Sequence, residues 1–217
     1  RRTVIIDSPD TLGGARVVTE SDLRMPESRQ VVILTTAGLE RRDSTGFRYV
    51  RTDGLTTRAT VSQLAQVRLD PNETVLLVSS GGRAWQHQVG FVPAKATTEM
   101  IGLARGEQVV LVAAMPTTGS SLVVATAAGR VKRTLAPDLA GIRGTWQRVV
   151  GLSEADDRLL FGGIAAPRAD ALFATAGGQV LRTPVDAITP QASGSARGVA
   201  AIAVGAGDRP IGGAVVN

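Results

Sequence analysis

Arginine supplies most of the chemistry open to this chain. Its 217 residues hold 24 Lys plus Arg against 19 Asp plus Glu, a net charge of +5, and only Lys95 and Lys132 of the cations are not arginine. A planar guanidinium grips phosphate oxygens in pairs, so arginines gathered on one surface would suit a nucleic-acid backbone. Genomic base composition alone also produces arginine in place of lysine at so modest a charge. Many of the basic residues stand just behind a glycine: Arg41 and Arg42 behind Gly38, Arg83 behind Gly82, Arg130, Lys132 and Arg133 behind Gly129, and Arg182 behind Gly178. Between these positions lie Arg48, Arg51, Arg58, Arg143, Arg148 and Arg197. The competing reading is a solvated strand edge, which charge protects from aggregation.

No group of residues argues for catalysis. His87, the sole histidine, sits in Trp85-Gln86-His87-Gln88 with no second ligand or triad partner, and reads as an ordinary strand residue. Tyr49, the only tyrosine, and Trp85 read as packing residues. Asp156, Asp157 and Asp208 suit Asx-type turns better than a metal site. The absence of cysteine removes disulfides and thiolate metal sites and is compatible with a reducing cytosol. No apolar run approaches the ~18 residues needed to span a bilayer, and Arg1-Arg2 opens the chain without a signal-peptide core. A soluble, intracellular protein is expected. The first residue is not Met, so the chain reads as a piece of a longer protein whose remainder holds the main activity.

The elements that must position the basic residues repeat four times. An apolar run reaches Thr or Ser, passes a glycine and leaves on a short strand: Ile33 to Arg42, Leu76 to Gln86, Val123 to Arg133 and Leu172 to Arg182. Gly38, Gly82, Gly129 and Gly178 are 44, 47 and 49 residues apart, a period that signals stacked or circular repeats. Each unit reads as a β-hairpin whose glycine takes positive φ in the turn. Strand alternation places Ala84, Val131 and Val180 on a core face, with Arg130 and Lys132 on the other. Glu40 breaks that pattern, so the first unit is expected to be the least regular.

A second element recurs between hairpins, around Glu107, Asp157 and Asp208, and reads as strand, acidic turn, strand. Two hairpins per period give four strands in about 45 residues, as in a propeller blade. Trp-Asp and kelch signatures are absent. The best helical candidate, residues 61–67, spans barely two turns. With aromatics at 3%, the core must be built from Val, Leu, Ile and Ala. Units that need a neighbour to cover their apolar faces predict one cooperative domain over residues 1–217.

These units, the intervening Gly-Asp elements and Ser195-Ala196-Arg197-Gly198-Val199 resemble the C-terminal domain of the A subunit of bacterial DNA gyrase and topoisomerase IV. Arg1-Arg2-Thr3 is similar to the boundary where that family's catalytic region ends. The resemblance implies an all-β fold: a β-pinwheel, a propeller-like disc of about four blades of four strands, closed or incompletely closed, whose blades exchange strands. It implies a basic outer rim that binds and bends duplex DNA, with the twelve residues Arg41, Arg42, Arg48, Arg51, Arg58, Arg83, Arg130, Lys132, Arg133, Arg143, Arg182 and Arg197 as candidates and Arg148 beside them. It further implies a cytoplasmic, nucleoid-associated bacterial protein with no membrane contact. The implied partners are double-stranded DNA, the cleavage region of the same subunit and an ATPase B-type subunit. ATP and Mg belong to the full enzyme, and no cofactor is expected in this domain.

Two departures from the family pattern bear on function. The family's Gln-Arg-Arg-Gly-Gly-Lys-Gly box, used for chiral wrapping, has as its counterpart Arg51-Thr52-Asp53-Gly54-Leu55-Thr56-Thr57-Arg58, with one glycine and no glutamine. A faint echo, Gln191-Ala192-Ser193-Gly194-Ser195-Ala196-Arg197-Gly198, lies in the last unit. Four units stand where the family has five or six. Both departures favour relaxation or decatenation over gyrase-type supercoiling. The alternative from another class is a propeller that serves as a protein-interaction platform. A glycan-binding propeller is disfavoured by the scarcity of aromatics.

Overall fold

A computed structural model describes residues 30–35, 38–43, 63–96, 101–142 and 144–217, with the backbone alone for residues 63–66. Four hairpins stand where the repeats predict them. They are β1 (Gln30–Thr35) with β2 (Gly38–Asp43), β4 (Thr74–Ser79) with β5 (Arg83–Gln88), β7 (Ser121–Thr126) with β8 (Arg130–Leu135), and β11 (Asp170–Thr175) with β12 (Val180–Pro184). Gly82, Gly129 and Gly178 turn at φ of 74°, 75° and 85°, a region costly for any side-chain-bearing residue. Each hairpin gains a third antiparallel strand on its first: β3 (Gln63–Leu69), β6 (Val109–Ala114), β10 (Leu159–Ala165) and β14 (Pro210–Val216). These third strands lie innermost, with β3 packed on β6, β6 on β10 and β10 on β14. Residues 63–67 of the expected helix are part of β3; residues 61 and 62 lie outside the described residues.

The second recurring element is not a hairpin. Its turn is present, but the strand before it and the strand after it serve different sheets. In the third unit β9 (Gln147–Arg148) pairs with β5 of the second unit, whereas β10, after the turn, pairs with β7 of its own. In the fourth, β13 (Val199–Ala200) pairs with β8 of the third unit and β14 with β11 of its own. Sheets two and three thus have the orders β6-β4-β5-β9 and β10-β7-β8-β13, each completed by a short outermost strand from the unit that follows. Local alternation marks both strands but carries no information about which sheet accepts them. The described parts of the first and fourth sheets have three strands each, against the four expected.

The acid of the second element has a defined task. Asp157 accepts hydrogen bonds from the N–H groups of Ala128, Ser153 and Arg158, and Asp208 from those of Gly177 and Arg209, so each carboxylate seats its strand on the hairpin turn of its own unit. Glu107 stands beside Gly81, where any Cβ would overlap its carboxylate.

Three apolar layers fill the spaces between consecutive sheets. Val75 and Leu77 of β4 face one layer and Leu76 and Val78 the next, while Leu122 and Val124 of β7 face that second layer and Val123 and Ala125 the third. Strands buried on both faces explain why the first strand of each hairpin is apolar without alternation. A small α-helix, α1 (Ala136–Leu139), buries Leu139 in the second layer. Ala84 and Val131 are buried as expected, yet Val180 is 71% exposed. It would be covered by an outermost strand, and β12 pairs with none among the described residues.

Candidate nucleic-acid interface

The third residue behind each of the first three turn glycines sits where the following unit docks. Arg41 donates through Nε to the carbonyl of Val92 at 3.0 Å, while its N–H bonds Pro93 at 2.8 Å. Trp85, buried as the sequence suggests, packs against Trp146 at 6.4 Å between ring centroids and stacks on His87 at 5.2 Å. Trp146 belongs to the third unit and donates its indole N–H to Ile101. Lys132 donates to the carbonyls of Val149 and Ser193, both at 2.6 Å. Leu181, in the fourth unit, is exposed.

Most of the basic residues behind the glycines are held by the protein itself. Arg130 donates to the carbonyls of Arg197 and Gly198 at 3.1 and 2.6 Å, fastening the chain as it enters β13. Arg133 bonds Ser121 Oγ, the Val185 carbonyl and the Asp186 carboxylate. Arg83 forms a two-point pair with Glu107 at 3.1 and 2.6 Å, with its guanidinium 5.7 Å from the Trp146 ring centroid. Arg42 pairs with Glu40 at 2.7 Å, and Arg182 with Asp170 at 2.5 Å. Glu40 is buried and also accepts from Ala96 N–H, so the residue that breaks the pattern in the first unit serves the same docking.

Lys132 corrects the expectation of a rim cation most sharply, being only 1% exposed. Both faces of β8 are covered by neighbouring units, so alternation cannot bring its side chain to solvent. Burial pushes its pKa down to about 8, partly opposed by the Asp138 carboxylate.

Besides Arg42, Arg68, Lys95, Arg105, Arg168 and Arg182, the exposed cations among the described residues fall in two places. Arg148 and Arg197 stand on or beside the outermost strands, β9 and β13, and no ion pair involves them among the described residues. The segments that carry them pack together: Gly151 N–H donates to the Ala196 carbonyl at 2.9 Å, and a Cβ on Gly194 would overlap the Arg148 carbonyl. Arg158 and Arg209, which sequence reasoning did not single out, are also exposed, beside the hairpin turns, where their carbonyls accept from Ala127 and Ala176. Their signal was available, because each directly follows a turn-capping aspartate. Arg48, Arg51, Arg58, Arg143 and Tyr49 lie outside the described residues, as do Arg1-Arg2-Thr3 and the 51–58 stretch. Among the described residues no cluster of three or more His, Cys, Asp or Glu could hold a metal ion, and no helix is long and apolar enough to cross a membrane.

A family model described as "DNA gyrase C-terminal domain, beta-propeller" matches residues 120–140 and 169–217, which span the third hairpin with α1 and the whole fourth unit. The chain carries the β-pinwheel fold of the gyrase A and topoisomerase IV C-terminal domains. A crystal structure of the C-terminal domain of DNA topoisomerase IV superposes with a TM-score of 0.71 at 17% identity, covering 89% of this chain and 63% of the other. A DNA gyrase A C-terminal domain gives 0.65 at 15% identity, with 86% and 64% covered. The E. coli ParC C-terminal domain gives 0.67 at 20% identity, with 87% and 79% covered. The chain therefore spans less than two thirds of the length of the first two. No curated protein matches the sequence.

Proposed function

We propose that this β-pinwheel, taken over residues 1–217 as one domain, is the sequence-nonspecific DNA-binding and DNA-bending C-terminal domain of a type IIA topoisomerase A subunit. The observation that carries this reading is the placement of exposed Arg148 and Arg197, without an ion pair, on or beside the outermost strands of a fold shared with those domains. Guanidinium groups on a convex rim meet phosphates without reading bases, and each added contact offsets part of the cost of bending. Bending 20–30 base pairs costs about 1–6 kcal/mol, so a track of several such contacts is required. In the full enzyme the bent duplex would be presented to the cleavage region of the same subunit for strand passage. That enzyme would work with an ATPase B-type subunit, ATP and Mg, in the bacterial cytoplasm. Relaxation or decatenation fits better than supercoiling, because the 51–58 stretch lacks the glycine-rich box.

The test is binding of a random-sequence duplex across salt. The logarithm of the binding constant is expected to fall with log salt by about 0.9 per phosphate contacted. R148A/R197A is expected to reduce that slope by about 1 to 2. Absent or salt-insensitive binding by the wild type would favour the protein-interaction platform instead. For the intact enzyme, comparing supercoiling with decatenation decides the finer question.

A further inference from the structure

Lys132 joins two segments that no strand pairing connects. Val149 follows β9, the strand that completes the second sheet. Ser193 lies in the approach to β13, the strand that completes the third. The ammonium, on β8, bonds both carbonyls at 2.6 Å from a position closed to solvent. Around it the two segments touch repeatedly. Gly151 N–H meets the Ala196 carbonyl, and Cβ atoms on Gly151 or Gly194 would overlap the Ser195 or Arg148 carbonyl. Arg148 immediately precedes Val149, and Arg197 closes the other segment.

We propose that Lys132 is a positioning residue, a buried staple that clamps residues 191–198 to residues 147–151 and so sets Arg148 and Arg197 in one phosphate-binding track. Its amine touches no phosphate; it acts through the backbone on either side of the two arginines. The role in DNA binding rests on the rim reading above, while the clamp itself rests on geometry alone. An apolar side chain of similar length would fill the same space and leave two inward carbonyls without a donor. The segments would then separate although the sheets behind them stay packed. The recurrent use of this position for docking, by Arg41 on Val92 and Trp85 on Trp146, supports the assignment.

The experiment combines amide hydrogen exchange with duplex binding in the 217-residue chain. K132M is expected to speed exchange at Gly151 at least about tenfold, as loss of charge-assisted hydrogen bonds implies, while Val123 and Leu172 in the sheets keep their protection. Its salt slope should fall as far as that of R148A/R197A, and the triple variant should be no weaker than the double. If K132M fails to fold, G194A, whose methyl group wedges the segments apart without touching the lysine, is expected to give the same local exchange and the same slope. Unchanged protection at Gly151 in a folded variant, or additive losses in the triple, would overturn the staple. Absence of duplex binding by the wild type would overturn the rim reading and with it the role of the arginines, whereas exchange at Gly151 still reports on the clamp.

Discussion

An unpaired ammonium inside a protein costs several kcal/mol, and Lys132 meets that cost with two carbonyl acceptors and the nearby Asp138. The balance is incomplete, because its pKa lies near 8 against an ordinary 10.5. Below about pH 8 the folded and unfolded chains both hold the proton. Between there and 10.5 the unfolded chain holds more, so each step up in pH favours the fold. The stability of the wild type relative to K132M is therefore expected to rise across this window and to level off above it. Urea denaturation midpoints at pH 7, 9 and 10.5 measure the difference, and a flat or falling difference would contradict the desolvated ammonium. Asp208 has the same sign at the acid end of the scale. The Thr175 hydroxyl and the N–H groups of Gly177 and Arg209 hold its carboxyl below 3.8, so its contribution is present above that pH and is lost as pH falls through its folded value.

At the scale of elements, sheets two and three are finished by their successors, and one pair of substitutions isolates this. Val131 and Val180 occupy corresponding places in their hairpins, but β13 covers only the first. V131S is expected to cost more than about 2 kcal/mol through lost apolar burial and a buried hydroxyl, and V180S to stay within about 0.5 kcal/mol. Equal effects on the urea midpoint would mean that β12 is covered as β8 is. Within each unit, D157A removes an acceptor from three N–H groups and should destabilise by about 1–3 kcal/mol, measured the same way. The hairpins were legible in the sequence because a positive-φ glycine and an apolar strand are local requirements, repeated four times. The family resemblance implied strand exchange, but which strands are exchanged was not legible in the residues, since Gln147-Arg148 and Val199-Ala200 look like any short strand and their acceptors are defined only in three dimensions. For the same reason Lys132 and Arg130 read as surface cations. Charge is visible in a sequence, but the carbonyls of Val149, Ser193 and Gly198 that receive it are not.

For the whole molecule, the proposed DNA binding makes different predictions for a duplex that follows the outermost strands and one that lies across the hairpin turns. Two of the exposed arginine pairs mark these paths: Arg148 and Arg197 on or beside the outermost strands, and Arg158 and Arg209 beside the hairpin turns. Both offer guanidinium groups, so net charge cannot separate them. Curvature can, because a duplex that follows the outermost strands must bend around successive units, whereas one lying across the turns crosses the disc without wrapping it. Rim binding predicts that R148A/R197A lowers the salt slope by about 1 to 2 and also weakens cyclisation of a short duplex, while R158A/R209A changes neither beyond the loss expected from a lower net charge. Binding across the turns predicts the reverse assignment of slopes, with cyclisation unchanged in all variants. The two pairs remove the same formal charge, so any difference between them reports position alone. A larger effect from R158A/R209A would move the DNA track off the rim and leave β9 and β13 with a purely structural task.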